Sequence, residues 1–310
     1  MSVVLALFSA ASYGVADFLG GTASRRVHAL VVTLVSLTTG ATGIAMLCLV
    51  QGGVLSGADV WWSLAAGVVG SLGLATFYSA LALGPMGVVA PLSAVTSAIV
   101  PVASGLALGE RPSAVSLVGV AVALPAIAMV ARERRLPTEP RRVAPGTLAK
   151  ALGAGVGFGG YLVLLSRTDE ASNMWPVLIG RGSSIVVMAG LAAALGVLSW
   201  PNAWKPGRAR SAVPKAGAGE TELTDRDGGA DGERGALRLA LAAGVFDAGG
   251  NVFYLLAVRA DLLALVAAIQ SLYPAATVSL AGALQGERPQ RIQWVGMALA
   301  MLAVVLVVAG

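Results

Sequence analysis

The fold this sequence predicts is an all-α integral membrane protein, with ten transmembrane helices arranged as two inverted five-helix repeats. Three observations predict it. Only 12% of the 310 residues are charged, 56% are hydrophobic, and the mean hydropathy is +0.80. A soluble domain carries roughly a quarter charged residues to cover its surface, so most of this surface faces lipid. Ten stretches are long and apolar enough to span, and a four-residue polar motif recurs at a fixed offset.

A span needs about 20 mostly apolar residues. The stretches that qualify are 2–22, 29–50, 60–83, 86–108, 113–131, 147–166, 174–199, 236–258, 261–284 and 291–309. Backbone groups cannot stay unpaired in hydrocarbon, so these are helices or barrel strands. They are continuously apolar and do not alternate with period two, which selects helix. The N-terminus, MSVVLALFSAASYG, lacks the basic flank of a cleaved leader and reads as a retained first span.

Two segments interrupt the pattern. Residues 132–146 form a basic, proline-containing linker between a first repeat at 1–131 and a second at 147–310. Residues 200–235 are rich in Gly, Ala and charge, with too little apolar surface to order themselves, and are expected to be a flexible loop.

Gly109-Glu110-Arg111-Pro112 recurs as Gly286-Glu287-Arg288-Pro289, an offset of 177. The same offset aligns Leu64–Val68 with Leu241–Val245, Val89-Ala90 with Val266-Ala267, and Val118-Gly119 with Val295-Gly296. Apolar matches arise by chance in such a composition, whereas a Glu-Arg-Pro match does not. Five spans per half is an odd number, so the second half enters from the opposite side. Inverted repeats of this kind characterise secondary transporters, with a site near mid-membrane that opens alternately to each face.

With those residues in hand, the chain resembles the EamA family of the drug/metabolite transporter superfamily. The carriers are the five-plus-five layout, the two Gly-Glu-Arg-Pro junctions between fourth and fifth spans, the following Gly119 and Gly296, and an aromatic-Gly pair in each half's first span, Tyr13-Gly14 and Phe158-Gly159. The resemblance implies export or exchange of small metabolites or drugs across the plasma membrane, driven by an ion or substrate gradient. The sequence agrees in lacking a GxxxxGK[ST] phosphate loop.

Charge placement excludes other classes. A pI near 9.8 would suit nucleic acid, but nearly all Lys and Arg sit in short stretches between apolar runs, so the partners expected are a small-molecule solute and the lipid bilayer, with no nucleic acid. Seventeen of the 21 basic residues fall in the loops opposite the termini, which on charge alone places both termini outside; the resemblance implies cytoplasmic termini. One histidine, His28, and one cysteine, Cys48, supply neither a metal cluster nor a nucleophile–base pair, so no cofactor and no catalysis are expected. A membrane-embedded enzyme, a channel and a partner-supporting subunit are the other readings. The fifth and tenth spans carry few polar side chains and read as a scaffold or a homodimer face.

Ionisable groups in hydrocarbon are expensive and mark solute or ion paths. Asp17 lies in the first span, one turn after Tyr13. Asp247 lies mid-span in the eighth, with Asn251 and Tyr254 at i+4 and i+7 on the same face. These carboxylates are the expected proton or cation sites. Arg181, between Gly180 and Gly182, either snorkels, pairs with a carboxylate, or binds an anionic group. The ninth span carries Gln270, Tyr273 and Thr277 around Pro274, and the fourth carries Ser93, Thr96, Ser97, Pro101 and Ser104. Prolines free carbonyls in such helices. Tyr78, Asn251, Tyr254, Gln270 and Tyr273 are the expected solute-binding residues. Glu110 and Glu287, at the water interface, are expected to be structural.

Overall fold

The computed structural model describes residues 1–24, 26–83, 86–132, 143–196, 230–285 and 290–310; within these, the side chains of 78, 81, 82, 86, 87, 230, 231 and 285 are not described. Among the described residues every long element is a helix. They are α1 (Ser2–Ala23), α2 (Ala29–Gln51), α3 (Gly57–Leu83), α4 (Met86–Ala107), α5 (Ala114–Val130), α6 (Pro145–Leu165), α7 (Trp175–Ala194), α8 (Ala230–Ala260), α9 (Leu263–Gln270), α10 (Tyr273–Gln285) and α11 (Arg291–Ala309), with a 3-10 turn at Glu170–Ser172.

Nine spans among the described residues are long and apolar enough to cross a bilayer, α9 and α10 together counting as one. The fifth expected span, α5, is a shorter apolar helix of 17 residues. The helix α8 begins at Ala230, inside the stretch expected to be loop, and most of that stretch lies outside the described residues. So do the linker at 133–142 and the second Gly-Glu-Arg-Pro junction.

Local chemistry sets several helix ends. The His28 ring caps α2 by accepting from the Leu30 N–H through Nδ1 (3.2 Å), and burial holds the ring's pKa below its ordinary value, keeping the acceptor form. The same helix stops at Gly52, whose φ of +66° no β-carbon-bearing residue adopts readily. Ser113 caps α5 (3.1 Å), prolines open α6 and α7, and a reciprocal Gln290–Gln293 capping box opens α11.

Most of the extensive helix contacts join one half of the chain to the other. They come in matched pairs: α1 packs on α8 as α6 packs on α3, α2 on α8 as α7 on α3, and α4 on α6 as α10 on α1. Three further contacts join α5 to α11, α2 to α7 and α4 to α9. Small residues permit these approaches. A β-carbon at Gly119 of α5 would lie 2.8 Å from Val307 Cγ2 on α11, and one at Gly296 of α11 would lie 2.8 Å from Val130 Cγ2 on α5. Serines stitch the same interfaces: Ser9 donates to the Gly250 carbonyl (2.9 Å) and Ser93 to the Ala151 carbonyl (2.9 Å). Exposed Leu72, Val186 and Val305 belong to the surface left for lipid, and Trp61 and Trp294 sit near helix ends, where amphipathic rings anchor at the interface.

The bundle end that carries the N-terminus is closed by polar ties. Asp59 Oδ1 accepts from the Asp169 N–H (2.8 Å), and Arg259 Nη2 donates to the Asp169 carbonyl (2.8 Å). Ser2 donates to Asp261 (2.6 Å). Glu110 reaches across from the α4–α5 junction to cap α9: its two oxygens accept from the Leu263 N–H (2.7 Å) and the Ala264 N–H (2.9 Å). The first junction Glu is therefore structural, and its partners are backbone donors of the other half. A carboxylate at a helix N-terminus satisfies orphan N–H groups and meets the positive end of the helix dipole.

Candidate functional site

Five helices bring polar side chains together at the centre of the bundle. From α7 comes Arg181, 3% exposed, whose Nη2 donates to Asp247 Oδ2 of α8 at 2.6 Å; the Asp247 side chain is 29% exposed. One turn further along α8, Asn251 donates through Nδ2 to the Asp247 carbonyl (2.8 Å). The Asn251 Oδ1 accepts from the Tyr161 hydroxyl of α6. The result is a run of hydrogen bonds from guanidinium to the Asp247 carboxylate and, through that residue's backbone carbonyl, on to amide and phenol, crossing three helices.

Tyr13 and Asp17 add to it from α1. The Tyr13 ring lies against Gly250, where a β-carbon would come within 2.9 Å of it, and Tyr13 is within electrostatic reach of Tyr161, Asp247 and Arg181. Asp17, exposed, is near enough to Asp247 and to Tyr273 of α10 to interact with both. Room for the arginine comes from α2: a β-carbon at Gly40 would sit 2.5 Å from Arg181 Nη1. Room for Tyr161 comes from Gly70 of α3.

The residues expected to bind solute divide. Asn251 is in the chain, and Tyr273 lies beside Asp17. Gln270 is buried as the last residue of α9. Tyr254 is fully buried, with its hydroxyl donating to the Leu162 carbonyl (3.0 Å). The side chain of Tyr78 lies outside the described residues. Both expected coupling carboxylates, Asp17 and Asp247, adjoin the cluster. For Arg181 the pairing with a carboxylate holds. Tyr161 is a member the sequence reading missed; the signal was a lone phenol deep in an apolar span, three residues after Phe158.

Residues 1–132 match the model of the EamA-like transporter family, which belongs to the drug/metabolite transporter superfamily. The first half of the chain is EamA-like. That stretch is thus similar to a family of transporters, and the apolar helices make the protein a membrane protein with multiple spans. A search of curated proteins finds no match. A solved structure described as "Crystal structure of protein" is similar in fold, with a TM-score of 0.68 at 19% identity, covering 98% of this chain and 96% of that one. The EamA-like half supplies Tyr13, Asp17 and Gly40 to the cluster, and the remainder supplies Tyr161, Arg181, Asp247, Asn251 and Tyr273.

Proposed function

We propose that the protein is a secondary transporter in the plasma membrane that exports or exchanges small organic metabolites or drugs by alternating access between two inverted halves. The observation that carries this is the Arg181–Asp247–Asn251–Tyr161 chain, a polar track whose Arg181 and Asn251 are buried, in a bundle otherwise made of apolar helices. A bundle that needed only stability would do better with apolar packing, because buried ion pairs seldom repay their desolvation.

The matched helix contacts support the inverted arrangement, since exchanging the halves maps each large interface onto another. The paired glycines support it too. Gly14 of α1 faces the Tyr273 carbonyl and Ala276 of α10, and Gly159 of α6 faces the Ser97 carbonyl and Val100 of α4, so each half's first helix seats on the other half's proline-bearing span. Asp247 and Asp17 hold the coupling proton or cation.

The test is flux in proteoliposomes holding the purified chain, preloaded with labelled metabolites and subjected to a proton gradient of either sign. Gradient-driven efflux of one class of compound is expected, falling at least about tenfold in Asp247→Asn, which removes the charge but keeps the shape. Full gradient-driven transport by folded Asp247→Asn would end the coupling role of that residue.

A further inference from the structure

We propose that the transported solute is a carboxylate, that Arg181 is its binding residue, and that Asp247 is the group it displaces. This rests on the transporter reading above and names the class of solute for the same site.

The argument begins with unclaimed donors. Arginine carries five N–H groups in a fixed fork and cannot shed its charge. Asp247 takes one of them, through a single oxygen. Nε and Nη1 are buried and have no partner among the described residues. A structural arginine–carboxylate pair gains most when both oxygens engage the fork, so this monodentate contact leaves the guanidinium half-served where unmet donors are costly. Gly40 is what lets Nη1 sit unencumbered, since a β-carbon there would collide with it.

The class of ligand follows from what already sits on the arginine. A carboxylate is the group Arg181 already holds, and among the described residues Arg181 is the only cation in the cluster. One guanidinium suits a monoanionic carboxylate better than a phosphate dianion, which draws several cations or backbone donors. Asp247 is also the more accessible partner, at 29% against 3%, so an incoming anion meets it first.

Displacement supplies the coupling. Once a solute carboxylate takes Arg181, the freed Asp247 is within electrostatic reach of Asp17 and Tyr13 of α1 and Tyr161 of α6, beside Asn251 on its own helix, with no other cation in reach among the described residues. It binds a proton from the aqueous phase, the carboxylate becoming a carboxyl. One anion and one proton enter together, and the charge of the site is unchanged. On release the proton leaves and Asp247 returns to Arg181.

The test uses the full chain in proteoliposomes, with labelled aliphatic mono- and dicarboxylates of two to six carbons, their amides, and the amines of equal length. Counterflow and proton movement are read together, with a melting curve for each variant. At least one acid is expected to exchange saturably with one proton per carboxylate, its amide and amine binding at least about tenfold more weakly. Asp247→Asn, which no longer competes for the arginine, is expected to bind that acid about tenfold more tightly, with no proton uptake and no pH dependence. Arg181→Lys, which keeps the charge but loses the fork, is expected to bind it about tenfold more weakly. Gly40→Ala, which pushes on Nη1, is expected to do the same in a chain that folds. Transport of amines or amides as readily as acids overturns the inference and leaves the transporter reading standing. So does weaker acid binding in folded Asp247→Asn, or unchanged binding in Arg181→Lys. If no compound of any class moves, the transporter reading falls and this inference with it.

Discussion

The fourth and ninth spans both carry proline, yet one is a single helix and the other is two. The helix α4 runs unbroken from Met86 to Ala107 through both Pro91 and Pro101. The ninth span stops at Gln270, turns through Ser271 and Leu272, and resumes at Tyr273 with Pro274 in its first turn. Each proline removes one N–H and crowds the carbonyl four residues back, so proline alone does not decide which helix breaks. Anchoring does. Every residue of α9 is buried, and its first turn is held by Glu110; α10 is held separately where Gly14 and Thr277 meet, with Thr277 donating to the Gly14 carbonyl (3.2 Å). Two short pieces that both pack on α1 but are held by different hydrogen bonds need not share an axis.

The comparison can be broken most forcefully at the cap. Glu110→Ala leaves two buried N–H groups without their acceptor, and a loss of about 3 kcal/mol in folding stability is expected. Glu110→Gln, which keeps one acceptor oxygen, should recover about half of that. Thermal unfolding in detergent measures both, and wild-type melting of the alanine variant would show that α9 is not held from this end.

The seats of the two spans give the next largest effect. A β-carbon at Gly159 would press on the Ser97 carbonyl at 2.8 Å, and one at Gly14 on the Tyr273 carbonyl at 2.8 Å. Gly159→Ala should cost about 2 kcal/mol, because a continuous helix cannot swing away, and Gly14→Ala about 1 kcal/mol, because α10 can pivot at the break. Equal costs would mean the break gives no freedom.

The smallest effect is expected at the prolines themselves. Pro274→Ala restores a donor to the chain and should shift stability by less than about 1 kcal/mol, while slowing hydrogen exchange across residues 271–276 as the two pieces join. Pro101→Ala, in a helix already continuous, should leave exchange unchanged. Unaltered exchange in both would place the cause of the break wholly in the anchoring.

How much of this the sequence carried depended on how far each partner lies along the chain. The extent of α1 was legible to within one residue, 2–22 against Ser2–Ala23, because a run of apolar residues is a local property. The broken ninth span was legible through Pro274, but the break falls earlier, since proline restricts the residues before it. The cap by Glu110 was not legible: its donor partners lie 153 and 154 residues away, and nothing near Glu110 announces them. Arg181 left three fates open for the same reason, and only the fold put Asp247, 66 residues on, against it. Tyr161 went unread because a single phenol in an apolar helix looks like packing until a partner appears across the interface.

The sole cysteine of the chain, Cys48 of α2, is 1% exposed. A thiol so covered by neighbouring side chains is out of reach of reagents carried in water. Water-borne thiol reagents therefore meet an almost silent background in the natural protein. A cysteine introduced on either side of the membrane would report its own accessibility without any prior substitution, so sidedness can be read directly from which reagent labels it.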